Sequence, residues 1–240
     1  MKRVNREGPP LLGLLDRRKP LPGIRPTAAA ALTADGALIL DLRDQAAFAE
    51  GHPAGALNTA FGPKIGYWSG WLLEENTPII LLAAEQAEAN EAATQLLRVG
   101  LDRIEGWIEG GFAAWNAAGL PVASFDRLLP AELRARLAAR ETFTLLDVRS
   151  AKEWSHDHIP GSVNIPIGDL SERLHELLRD APVATICEAG YRSSLAASLL
   201  AREGHPHVVN VAGGMIGWLV APPALPAFIG PRSPDGTEHG

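Results

Sequence analysis

The sequence predicts an α/β chain of two tandem domains, each built on a mostly parallel sheet flanked by helices. The chain repeats itself: Asp147, His158 and Asn164 stand 106 residues after Asp41, His52 and Asn58, in matching surroundings. Within each copy, short apolar runs alternate with stretches of helical periodicity, the pattern of a parallel sheet covered on both faces.

The copies unfold in one order. A strand ends in Asp-x-Arg, over Leu38–Arg43 in the first copy and Phe143–Arg149 in the second. A helical turn holding Phe48 or Trp154 follows, then a loop in which His, Pro and Gly break the periodicity before Asn58 or Asn164. The next apolar runs, Pro78–Leu82 and Val183–Ile186, are short and bounded by breaks, as doubly covered strands are. Ala/Leu-rich helices are expected over Glu88–Val99 and Arg192–Glu203, and a further strand over Val208–Val211. Paired glycines then open a helix with a tryptophan, Gly110-Gly111 with Trp115 and Gly213-Gly214 with Trp218. The organisation read from this is an N-terminal extension over 1–25, a first domain over 26–122, a linker helix over 123–140, a second domain over 141–222 and a flexible tail over 223–240.

Composition narrows the function classes. Of 240 residues, 46% are hydrophobic and 21% charged, enough for real cores, and the formal net charge is −6. An acidic chain is a poor partner for nucleic acid or an anionic membrane. No apolar run approaches the roughly 18 residues that span a bilayer. The Leu-rich stretch behind Met1-Lys2-Arg3 is too short and too interrupted for a signal peptide, so a cytoplasmic location is expected. One cysteine excludes an internal disulfide and a Cys-based zinc site.

That cysteine, Cys187, closes the strand Val183–Ile186 and is followed by Glu188, Ala189, Gly190, Tyr191, Arg192 and Ser193 at the mouth of a helix. On position alone it reads as a small buried hydrophobe. Its surroundings argue otherwise. Parallel sheets place their ligands at strand C-termini, and the free N–H groups of a loop and first helical turn can cradle an anionic sulfur. Gly190 permits the tight turn this needs, and Arg192 adds a planar cation suited to an oxyanion. The first copy has Ala83 at the cysteine position and Glu88 where Arg192 stands, so it is expected to be inactive.

Other features invite blander readings. His156 and His158 lack the further ligands of a metal site, and the aligned His52 is architectural. Asp41/Arg43 and Asp147/Arg149 occur in both copies, whether or not a nucleophile is present, and read as structural pairs. Trp115 and Trp218 read as packing aromatics. Tyr67-Trp68-Ser69-Gly70-Trp71 has no counterpart in the second copy and reads either as a domain-interface patch or as an internal packing helix.

Asp147-Val148-Arg149, His158-Ile159-Pro160-Gly161, Asn164-Ile165-Pro166, the Cys187–Arg192 loop and Gly213-Gly214…Trp218 resemble the rhodanese homology domain, and the first copy resembles it without the cysteine. The resemblance implies two tandem rhodanese-like domains, the second accepting sulfane sulfur on Cys187 from thiosulfate or a low-molecular-weight persulfide. The loop residues 188–193 would bind the donor, and a small thiol, sulfite or cyanide would take the sulfur, with no cofactor. The spacing of five from Cys187 to Arg192 is one shorter than in the phosphatases and arsenate reductases of similar fold, which favours a single sulfur atom as guest. Asn5–Pro10 and Trp68–Leu73 also look like the segment after the dioxygenase part of persulfide dioxygenase–rhodanese fusions, which implies such a dioxygenase as a partner. A non-enzymatic persulfide carrier or sensor stays open as the alternative.

Overall fold

The computed structural model describes residues 20–221. The expected tail over 223–240, the Asn5–Pro10 segment and most of the N-terminal extension lie outside them. The first domain runs β1 (Gly23–Ile24), α1 (Pro26–Ala34), β2 (Leu38–Asp41), α2 (Gln45–Glu50), β3 (His52–Pro53), β4 (Leu57–Asn58), α3 (Ile65–Leu72), β5 (Ile79–Leu82), α4 (Gln86–Arg98), β6 (Ile104–Ile108), α5 (Gly111–Ala117) and β7 (Val122–Ala123). The second runs β8 (Asp126–Leu128), α6 (Pro130–Ala138), β9 (Thr144–Asp147), α7 (Ala151–His156), β10 (Val163–Asn164), α8 (Leu170–Arg173), β11 (Val183–Ile186), α9 (Tyr191–Arg202), β12 (Val208–Val211) and α10 (Gly214–Val220).

The two five-stranded sheets are copies of each other, ordered β1-β6-β5-β2-β4 and β8-β12-β11-β9-β10, and every pairing within them is parallel. The registers coincide, since Leu82 pairs with Asp41 as Ile186 pairs with Asp147. β5 and β11 are buried at every residue, the reason their sequences do not alternate with exposed polar residues; the one polar side chain, Thr185, directs its hydroxyl to the Ser193 and Val209 carbonyls. Each short helix after the Asp-x-Arg strand is capped by an oxygen in front of it. Asp44 accepts from the N–H groups of Ala46 and Ala47, and Ser150 forms a reciprocal capping box with Glu153.

The segments expected as extension and linker contribute to the sheets. Gly23–Ile24 pairs with β6, and Asp126–Leu128 pairs with β12 ahead of α6, whose Leu133 is fully buried in the second domain's core. The paired glycines act at the joints between strand loop and helix. Gly214 has φ +56°, and a Cβ there would fall 2.7 Å from the Glu188 backbone; Gly111 has φ +59°, with the Ala83 carbonyl 3.2 Å from any Cβ.

The domains share one apolar cluster, which takes Leu40, Ile65 and Leu96 from the first and Leu146, Ile167, Leu195 and Leu199 from the second. Helix α9 covers the edge strand β4 of the first domain. Ser198 Oγ accepts the Asn58 N–H at 3.1 Å, and Ser194 Oγ donates to Asn58 Oδ1 at 2.6 Å. An edge strand that would present free backbone groups is thereby closed by side chains of the other domain. Among the described residues, no helix is long and apolar enough to cross a membrane.

Candidate active site

The scaffold beneath the site is duplicated. In the second domain Arg149 grips Asp147 with Nε and Nη2, at 3.0 and 2.7 Å from Oδ2, and Nη2 also reaches the Asp157 carbonyl at 2.7 Å. Asn164 Nδ2 donates to the Asp147 and Arg149 carbonyls, both at 2.9 Å. Arg43 holds Asp41 and the Gly51 carbonyl in the same way, and Asn58 holds the Asp41 and Arg43 carbonyls. Both pairs are anchors that fix the loop after the strand, the second fully buried and the first with its arginine partly exposed. His158 stacks on Trp154 at 3.9 Å and sets Nδ1 2.9 Å from its carbonyl. His52 repeats this on Phe48, at 3.8 and 2.7 Å. The histidines are packing elements, and burial lowers the His52 pKa below its ordinary value.

Cys187 lies at the C-terminal end of β11, the central strand of its sheet, and is 1% exposed. Among the described residues two groups lie within hydrogen-bond distance of Sγ, the Gly190 N–H at 3.2 Å and Ser193 Oγ at 3.4 Å. Gly190 has φ +92°, which turns its N–H back toward the sulfur at the start of α9. The first turn of α10 stitches the loop from behind, with Met215 N–H on the Cys187 carbonyl and Ile216 N–H on the Glu188 carbonyl. In the first domain Ala83 takes the cysteine position, Gln86 that of Gly190 and Glu88 that of Arg192. Glu88 Oε2 turns back on the Ala84 N–H at 3.4 Å.

The loop residues expected around the sulfur take different places. Gly190 and Ser193 face Sγ. Glu188 and Ala189 are exposed at the mouth, Glu188 lying 3.7 Å from Arg149 Nη1. Tyr191 lines the cavity without touching the sulfur, and its hydroxyl donates to the Ala60 carbonyl of the first domain. Arg192 is held by a partner that the sequence did not reveal: its Nη1 and Nη2 reach the two oxygens of Glu153 at 2.9 and 2.6 Å. That pairing holds the Glu153 carboxyl down at about 2. The planar cation expected at the mouth is therefore already matched with a carboxylate. Ser150-x-x-Glu153 is legible as a helix start, but nothing in the chain links it to Arg192.

A cavity of about 1180 Å³ opens over Cys187, and both domains line it. The first contributes Lys64, Tyr67 and Trp68; the second adds Met215 and Leu219 beside the charged groups. Trp68 lies 5.3 Å from the Arg192 guanidinium, and Trp71 packs on Gly168 of the second domain. Helix α3 thus serves as interface and as cavity wall. Among the described residues no group of three or more His, Cys, Asp or Glu side chains is placed to hold a metal ion.

Known proteins match in the same duplicated pattern. The family described as "Rhodanese-like domain" matches residues 26–118 and again 129–221. A putative sulfur carrier protein, YrkF, of Bacillus subtilis is 33% identical over 109 residues, 45% of this chain and 56% of that protein, so the chain spans about half of that relative's length. A sulfurtransferase of Allochromatium vinosum is 34% identical over 86 residues, 36% of this chain and 80% of that protein. The crystal structure of a rhodanese-related protein from Thermoplasma volcanium, 36% identical, covers 40% of this chain and 91% of its own, with a TM-score of 0.37. Matched in both halves, and with one Asp-x-Arg anchor and one strand order in each, the chain belongs to the rhodanese-like domain family as a tandem pair.

Proposed function

We propose that this chain is a sulfurtransferase that carries sulfane sulfur on Cys187. The observation that carries the reading is the placement of Sγ at the foot of a large cavity, between the Gly190 N–H and Ser193 Oγ. Those donors suit a thiolate, and then the persulfide built on it. Membership of a family with relatives named sulfurtransferase supports the same chemistry.

The reaction is a double displacement. The Cys187 thiolate attacks the outer sulfur of thiosulfate or of a low-molecular-weight persulfide. A bond forms from Sγ to that sulfur as the donor's S–S bond breaks, and the electron pair leaves on sulfite or on the organic thiolate, which takes a proton from water. An external thiol, sulfite or cyanide then attacks the outer sulfur, and the pair returns to Sγ. No net oxidation occurs and no cofactor enters. The acceptor comes from outside, because the chain holds one cysteine. The first domain, with Ala83 in place of the thiol, acts as scaffold and cavity wall. A persulfide dioxygenase belongs to the proposal as a consumer of the organic persulfide.

Intact-protein mass after treatment with thiosulfate or an organic persulfide tests the reading. One added sulfur atom on the native chain, absent from Cys187→Ala, is expected. No added sulfur from either donor overturns it.

A further inference from the structure

The cavity over Cys187, about 1180 Å³ and open to solvent, is far larger than a thiosulfate ion and has room for a whole organic ligand. Its two arginines are not free to meet a dianion, and Lys64 stands exposed at the rim on the first domain's side. Arg149 is committed to Asp147, with Glu188 at its far side. Arg192 is committed to Glu153 through both ends of its fork, beneath the ring of Trp68. Glu153 cannot easily swing away, since its Oε2 also accepts from the Ser150 N–H at 2.9 Å and from Ser150 Oγ at 2.6 Å. A carboxylate fixed this way cancels the Arg192 charge that would draw in a sulfonate, and leaves the Tyr67, Trp68, Met215 and Leu219 surfaces, with Lys64 at the rim, as the rest of the wall.

We propose that Glu153 is a specificity-determining residue: by neutralising Arg192 against the wall supplied by the first domain, it turns Cys187 away from thiosulfate and toward persulfides of organic thiols. The inference rests on the sulfur-transfer reading above and names the donor class for that same site. Glu153 touches neither the donor nor the sulfur in this account. It acts through Arg192, a separation the test has to respect.

The test measures how fast the full chain gains sulfur on Cys187, followed by intact mass, with excess thiosulfate or excess 2-hydroxyethyl persulfide, whose organic half is uncharged. In E153Q the glutamine oxygen can still accept from Ser150 and from Arg192 Nη1, while the negative charge that matches Arg192 and the bond to its Nη2 are lost. Thiosulfate loading is then expected to rise about ten-fold, with the organic persulfide changed by less than about two-fold. In E153Q/R192Q the thiosulfate gain is expected to vanish, because the freed cation is gone. An unchanged donor ratio in E153Q, or a gain that persists in the double variant, overturns the proposal. If E153Q does not fold, R192Q alone decides: it leaves Glu153 unpaired and should slow thiosulfate more than the organic persulfide, and equal slowing of both overturns the proposal. Failure of both donors to load the native chain would instead sink the sulfur-transfer reading itself.

Discussion

The Tyr191 hydroxyl donates to the main-chain carbonyl of Ala60, so the residue just before Arg192 in the cysteine loop is fastened to the opposite domain. Thr59 Oγ1 lies 3.5 Å from the same hydroxyl. The start of α9 is thereby set by contacts on both sides, Gly190 toward Cys187 and Tyr191 toward the first domain. Loop geometry and domain packing are one problem here.

Tyr191→Phe keeps the ring and removes the hydroxyl, leaving a partly buried carbonyl without this donor. A loss of about 1–3 kcal/mol is expected. The thermal midpoint of the full chain should fall by about 2–4 °C for each of those kilocalories. A midpoint equal to that of the native chain would show that water replaces the hydroxyl at no cost.

Cys187→Ala should abolish loading by every donor while leaving stability within about 1 kcal/mol of the native chain. Among the described residues the sulfur has two contacts of hydrogen-bond length, and Ala83 already occupies the same register position in the first domain. Residual sulfur transfer above a few percent would place the nucleophile elsewhere.

The Arg192–Glu153 pair also gives stability a pH dependence. The folded chain holds the Glu153 proton more weakly than an unfolded chain, whose carboxyl has its ordinary value of 4.5. The pair's contribution is therefore complete above that value and fades as pH falls from 4.5 toward about 2. The Glu153 side chain is 36% exposed, so solvent screening reduces the contribution to about 1 kcal/mol. The melting-temperature gap between the native chain and Glu153→Gln should be open at neutral pH, narrow below pH 4.5 and close only near pH 2. A gap independent of pH would assign Glu153 to capping α7 alone.

What the sequence disclosed and what it withheld divide along chain distance. The strands around Cys187 were legible because β9 and β11 are short, mostly apolar runs bounded by breaks, and the Asp147/Arg149 anchor because its partners are near neighbours repeated in both copies. Strand β8 escaped notice because Asp126-Arg127-Leu128 is short, polar and at a sheet edge, with no alternation to read. Helix α1 went unread because its alanines give no amphipathic stripe. The Arg192–Glu153 pair joins residues 39 apart, and Tyr191–Ala60 joins residues 131 apart, so no local pattern marks either. The Tyr67–Trp71 segment allowed two readings, and both hold: Trp68 packs on the shared core while Trp71 rests on Gly168.

The shared core makes a prediction about the second domain on its own. Leu195 and Leu199 of α9 are buried in a cluster that includes first-domain side chains. Ser194 and Ser198 are buried against Asn58, and Arg202 Nη1 reaches the Gly55 carbonyl at 2.8 Å. Cutting the chain ahead of β8 would strip these partners from one face of α9, exposing apolar surface and leaving its serines to water. A fragment of residues 123–221 keeps Cys187, Gly190 and Ser193 but loses the α3 wall and the Tyr191 tie. It should melt more than about 10 °C below the full chain, since a few kilocalories weigh heavily on a domain of that size. Its loading by thiosulfate should fall less than its loading by an organic persulfide, which has lost Tyr67 and Trp68 as a surface. Equal melting temperatures, together with an unchanged preference between donors, would mean that the first domain neither supports nor shapes the site.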